Sequence, residues 1–234
     1  MLIYVERADC GLNPPICAAV TGLVDAVSFL SLGHVFTANM TGNIVLLAFA
    51  STGVAQVSLA GSVTALLGFL GGAAVGGRIM AGASSGSQLR AASSIFALEI
   101  VFLVGAALAA LGYRAVSSPH LLRLYAMIAC TAIAMGMRNA AVRKLAVPDL
   151  TTTVLTLTIT GLAADSSLAR GTNPRLQRRI AAVVAMFAGA ALGSITLRHS
   201  VFMALASSVV LSSLCSLALL ISSRLPSARS AEKN

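Results

Sequence analysis

Two clusters of small polar side chains interrupt an otherwise apolar chain. The first is Thr37, Asn39, Thr41, Gly42 and Asn43; the second is Thr151, Thr152, Thr153, Thr156 and Thr158. Hydroxyls and carboxamides can satisfy backbone groups that have left a helix, and glycine permits tight turns. If each segment enters a membrane extended and returns as a half-helix, the half-helices begin near Thr41 and Thr156. Their free N–H groups and positive dipole ends then face the midplane and favour an anion, or the electronegative end of a solute. The plainer reading is that these side chains only cap helices and satisfy local backbone.

Asp25 is the acid lying well inside a hydrophobic segment without a nearby sequence partner. A charge at membrane depth costs roughly 2.5–3.5 kcal/mol on insertion scales, so it must be protonated, paired or next to water. Proton coupling, a cation ligand and a donor to solute are the functional readings. A structural ion pair with Arg138 is the bland one, and Arg138 could equally snorkel to the surface. Glu99, five residues into its segment, reads as an acid near the water boundary, and Asp149 and Asp165 as solvated or capping groups flanking the sixth segment. Gly68, Gly72 and Gly76, with Gly189 and Gly193, form small-residue stripes that let helices approach closely, on each other or on neighbours.

Other chemistry has no seat. The three histidines stand far apart at segment ends, with no zinc spacing, and no Walker loop or G-x-S-x-G elbow occurs. Cys10, Cys17, Cys130 and Cys215 are scattered, which suggests neither a disulfide set nor a metal knuckle. No cofactor is expected.

The elements that position these residues follow from composition. Of 234 residues, 57% are hydrophobic and 10% charged, with a mean hydropathy of +0.91. One soluble core of this length cannot hide that excess, which excludes a soluble enzyme and a disordered chain. A net charge of +9 with 5% aromatics and no Trp argues for basic loops of a membrane protein and against nucleic-acid binding. The first fifteen residues do not read as a signal peptide, because Glu6, Arg7 and Asp9 interrupt them.

Eight apolar segments cover 16–32, 35–50, 57–80, 94–115, 121–141, 150–164, 180–197 and 201–222. The second and sixth are short and polar. The two halves resemble each other at a shift near 115: Gly22-Leu23-Val24-Asp25-Ala26 aligns with Gly136-Met137-Arg138-Asn139-Ala140, and Met40-Thr41-Gly42-Asn43 with Leu155-Thr156-Leu157-Thr158. If all eight segments cross, ten of the sixteen basic residues fall on one side. If the second and sixth dip in and return, thirteen do, against Arg114, Arg123 and Arg198. The positive-inside rule favours the second arrangement, with both termini cytoplasmic. Three crossings per half then invert the second half relative to the first.

Gly22-Leu23-Val24-Asp25-Ala26 with Phe29 and Phe36, then Met40-Thr41-Gly42-Asn43, then the Thr-rich run from Thr151, resembles the YoaK-like family of bacterial inner-membrane proteins. The resemblance covers nearly the whole chain and implies six membrane helices, with no established substrate. Leu157 stands where members often carry a second Gly.

The expectation is one all-α integral membrane domain over 1–234: six transmembrane helices and two re-entrant segments, in an inverted 3+3 repeat of about 16–115 and 121–222. It is read as a bacterial inner-membrane transporter or channel, and not as an enzyme. The substrate is a small polar or anionic solute, bound at the midplane by Asp25, Asn39, Thr41, Gly42, Asn43, Thr152, Thr153 and Thr156. The other reading is a non-transporting scaffold or accessory subunit. Partners are the bilayer, the solute and possible further copies of the chain, with no nucleic acid.

Overall fold

The computed structural model describes residues 13–53, 57–84, 86–113, 120–145 and 152–224, with side chains 152–154 and 222–224 outside that description. Among the described residues the chain is helical, with no strand. The helices are α1 (Pro14–Ser31), α2 (Met40–Ser51), α3 (Leu59–Ala81), α4 (Gln88–Ala109), α5 (Leu121–Lys144), α6 (Thr152–Ala164), α7 (Leu176–Leu197) and α8 (Val201–Arg224). Six of them, all but α2 and α6, are long and apolar enough to cross a membrane. With 12 and 13 residues, the two short helices reach only about 18–20 Å, less than the roughly 30 Å of a bilayer's hydrocarbon core.

Local sequence sets the ends. Pro14 and Pro15 open α1, where a missing N–H costs nothing. Gly33 (φ +90°) and His34 (φ +56°) turn the chain after it. Ser58 caps α3 by accepting the Gly61 N–H at 3.0 Å. α6 begins at Thr152, four residues before the start expected at Thr156.

Glycine decides the packing. The closest helix pairs are α3 with α5 and α1 with α7. A Cβ on Gly22 would stand 2.1 Å from the Met186 carbonyl oxygen, and one on Gly189 1.9 Å from that of Ala19. The α3/α5 crossing is built alike: a Cβ on Gly72 would stand 2.2 Å from the Ile133 carbonyl oxygen, and one on Gly136 2.2 Å from that of Phe69. The stripes on α3 and α7 therefore do not meet each other; each meets the first helix of the other half. Small residues at both faces let the backbones touch.

The same contacts give directions. Gly68, Gly72 and Gly76 meet residues 129–132, 133 and 137–140 in rising order, so α3 and α5 run the same way. Gly189 meets Ala19 and Gly193 meets Leu23 and Ala26, so α1 and α7 also run together. The stretch after α1 lies on the start of α3: Gly33 approaches Ser58, and the Val35 side chain approaches Gly61. α3 thus begins where α1 ends. At the other connection, Arg179 at the start of α7 donates to the Gly161 carbonyl at 2.9 Å and to Asp165 at 2.7 Å, so α6 ends where α7 begins.

Gly189→Ala should lower the Tm of the detergent-purified protein, because backbone has to move; overpacking of this kind costs about 1–3 kcal/mol. Gly71→Ala, on an exposed helix face with nothing within 4 Å, should leave it unchanged. Thermal unfolding of the two variants beside the parent checks this, and equal Tm values would remove the close crossing.

Candidate functional site in the membrane-depth loop

Asp25 organises the first polar cluster. It is buried on α1, six residues before that helix ends. At 1.5 Å per residue this sets it about 9 Å below the end of α1. The loop 32–39 folds back to that level. Asp25 Oδ1 accepts the backbone N–H groups of Thr37 at 3.1 Å and Ala38 at 2.8 Å, and Oδ2 accepts Asn39 Nδ2 at 2.8 Å. A carboxylate with its lone pairs engaged this way replaces the water that the loop backbone would need.

Asn43 fixes the other side of the loop. Its Oδ1 accepts the Phe36 N–H at 2.8 Å and its Nδ2 donates to the Phe36 carbonyl. The carboxamide pairs with both backbone groups of one residue as a neighbouring strand would. Phe36 stacks on Phe29 at 5.0 Å between ring centroids. Gly42 lies under the Phe36 ring, where a Cβ would come within 2.7 Å. The Thr37 hydroxyl is fully buried and has no hydrogen-bond partner among the described residues.

Asp25, Asn39, Gly42 and Asn43 therefore come together around one loop. Thr41 and Thr156 are exposed on α2 and α6, which pack on α3 and α7 respectively. Thr158, by contrast, is buried. The side chains of Thr152 and Thr153 lie outside the description, as do Thr151 and Asp149 entirely. Asp165, expected to be solvated or capping, is half-buried and pairs with Arg179.

Three expectations need correction. Asp25 does not pair with Arg138; its oxygens go to the loop. Arg138 does not snorkel, and Glu99 is not at the water boundary: both are buried and paired to each other. Arg138 Nε donates to Glu99 Oε2 at 2.9 Å and Nη2 to Oε1. Nη2 also reaches Ser212 Oγ at 2.9 Å, Nη1 reaches the Cys17 carbonyl at 3.3 Å, and the guanidinium lies 5.5 Å from the Phe96 ring centre. The physical reason is complementarity. Only a guanidinium can fill both oxygens of a buried carboxylate as a fork, whereas Asp25 faces free N–H groups. The Asp25 carboxylate lies beside the start of α2, bonded to Ala38 and Asn39.

Sequence reasoning also missed Cys17 and Cys215. They are 198 positions apart, yet their sulfurs stand 2.8 Å from each other. Only the α1/α8 packing brings them together. For Glu99 and Arg138 a signal existed, since each is a charge several residues inside an apolar segment.

Together, six apolar spans, two helices too short to cross and a polar loop folded back along α1 define a polytopic helical membrane protein. The chain belongs to the family described as "Protein of unknown function (DUF1275)", whose model matches residues 15–219. It is 40% identical over 146 residues to the UPF0700 transmembrane protein YoaK of Bacillus subtilis (strain 168). That match spans 62% of this chain and 62% of the relative's length. The resemblance carried by residues 22–26 and 40–43 is thereby established. No solved structure matches.

Breaking a buried pair by removing one partner costs about 3–5 kcal/mol, whereas replacing both by apolar groups is often neutral. Glu99→Leu and Arg138→Met should each lower Tm sharply, and the double variant should recover most of the loss. Asp25→Leu strands the Thr37 and Ala38 N–H groups, at about 1–3 kcal/mol each, so it should unfold earlier than Asp25→Asn, whose carbonyl still accepts. Thermal melts in one detergent test both; equal melts for the two Asp25 variants would rule out the carboxylate's role in holding the loop.

Proposed function

We propose that the protein is a channel or carrier for a small polar solute, built from two inverted three-span halves, about 16–115 and 121–222. In this reading α2 and α6 are re-entrant. Several directions support it. α3 begins where α1 ends, α3 and α5 run together, and α1 and α7 run together. Arg123, at the start of α5, donates to the Leu111 carbonyl just past α4. One consistent path then has α1, α4 and α7 crossing one way and α3, α5 and α8 the other. Both ends fall on one face. With Arg138 removed from the loop count, twelve basic residues lie on that face against three on the other, which makes it cytoplasmic by the positive-inside rule. The membrane is then the bacterial inner one.

One observation carries the functional reading: the non-helical stretch 32–39 reaches the depth of Asp25. Irregular backbone persists at membrane depth only where protein or a wet cavity satisfies it, and paired broken segments near the midplane are a recurring transport plan. Among the described residues Asp25 forms no ion pair. Its negative charge disfavours an anion at the first half-site and suits a neutral polar solute or a small cation. Thr41 of α2 and Thr156 of α6 offer exposed hydroxyls to it, with Thr152 and Thr153 beside the latter. Asn39, Gly42 and Asn43 shape the loop, and Asp25 is the coupling or gating acid.

The scaffold reading draws on a different fact: Asp25 and Asn43 find their partners within the loop, as a purely structural knot would. Thr41 and Thr156 would then contact another chain.

Cysteines at Thr41 and Thr156, in a background lacking the four native cysteines, separate the two. A membrane-impermeant thiol reagent should label position 41 from outside and position 156 from the cytoplasm. Osmotic swelling of proteoliposomes with glycerol, urea, methylammonium and nitrate should show one neutral or cationic solute above empty liposomes, slowed several-fold by Asp25→Asn. Absence of both labelling and flux overturns the transport reading in favour of the scaffold.

A further inference from the structure

A second buried cluster lies away from the Asp25 loop, where α1, α4, α5 and α8 converge. Cys17, one turn into α1, and Cys215, midway along α8, are both buried. Their sulfurs are 2.8 Å apart, about 0.8 Å more than a disulfide bond. The ionic knot anchors both helices beside the thiols. Arg138 holds the Cys17 carbonyl, and Ser212, one turn before Cys215, bonds both Arg138 and Glu99. Asn13, an exposed residue, caps the start of α1, and its carbonyl accepts the Cys17 N–H at 3.2 Å. The pair is therefore one turn from the helix end and not at the centre of the frame.

We propose that Cys17 and Cys215 are a peroxide-oxidisable dithiol that closes into a disulfide between α1 and α8. One of the two sulfurs attacks one oxygen of hydrogen peroxide. The O–O bond breaks, the thiol proton leaves with the departing oxygen as water, and that cysteine becomes a sulfenic acid. The second sulfur then attacks the first. The S–S bond forms, the S–O bond breaks, and the hydroxyl leaves as a second water with the second thiol's proton. Two thiols give two electrons and one peroxide becomes two waters. The sulfurs already touch, which favours the second step. It outcompetes further oxidation of the sulfenic acid. The bridge ties the helix that carries Asp25 to the helix that packs on α4, across 198 positions of chain. Closing so long a loop restricts the unfolded chain strongly.

The test treats full-length protein in detergent with hydrogen peroxide, alkylates the remaining thiols and maps the peptides by mass spectrometry. A peptide linking Cys17 to Cys215 should dominate, disappear with dithiothreitol, and persist in Cys130→Ser and in Cys10→Ser. Oxidation should raise Tm by several degrees in the parent and not in Cys215→Ser. The mapping needs no variant to fold. Cys17 and Cys215 recovered as free thiols, as sulfinic or sulfonic acids, or bridged to Cys10 or Cys130 would each overturn the proposal.

Discussion

Everything in the first half depends on one constraint: a peptide group at membrane depth has no water to bond. After α1 ends, residues 32–39 fold back to about 9 Å below that end, and the N–H groups there must be met by protein. Asp25 meets two of them and Asn43 meets both backbone groups of Phe36. The charge that is expensive to bury becomes tolerable because the loop supplies the donors, and the loop is tolerable because the charge is there. Neither would be stable without the other, which is why an acid and two asparagines sit in a chain with so few polar side chains.

The remaining buried charges obey the same constraint by another route. Glu99 and Arg138 neutralise each other as a planar fork, and Ser212 and the Cys17 carbonyl take up remaining donors and acceptors. This knot touches four helices, and the apolar residues around it include Phe96, Ile95, Met137 and Leu219. The frame thus has two polar anchors: one holds a loop and the other holds helices together.

Much of this was legible in the residue order, and the limits are instructive. Helix type, the six long spans and the two short segments followed from hydrophobic length alone, because lipid imposes that length on any spanning helix. Asp25 and the Asn39–Asn43 run stood out because polar groups are rare in such surroundings. The partners were less legible. Which cation a buried acid chooses depends on how helices cross, and the crossing is set by Gly22, Gly72, Gly136 and Gly189, whose partners are 60 to 170 positions distant. Arg138 aligned beside the residue matching Asp25, and that proximity in alignment suggested a pairing that geometry does not make. The contact between Cys17 and Cys215 left no local trace at all, since each sits in an ordinary apolar run.

The two glycine crossings also bear on how the chain is assembled. Each joins the first helix of one half to the third helix of the other. During synthesis α3 waits only for α5 before its groove is filled, but α1 must wait until residues 186–193 have emerged. For most of its production, then, the ribosome has released an opening helix whose close-packing surface has no mate. The amino-terminal half alone is an unfinished object, and α1 gains its close-packed mate only with the late arrival of α7, with α8 following.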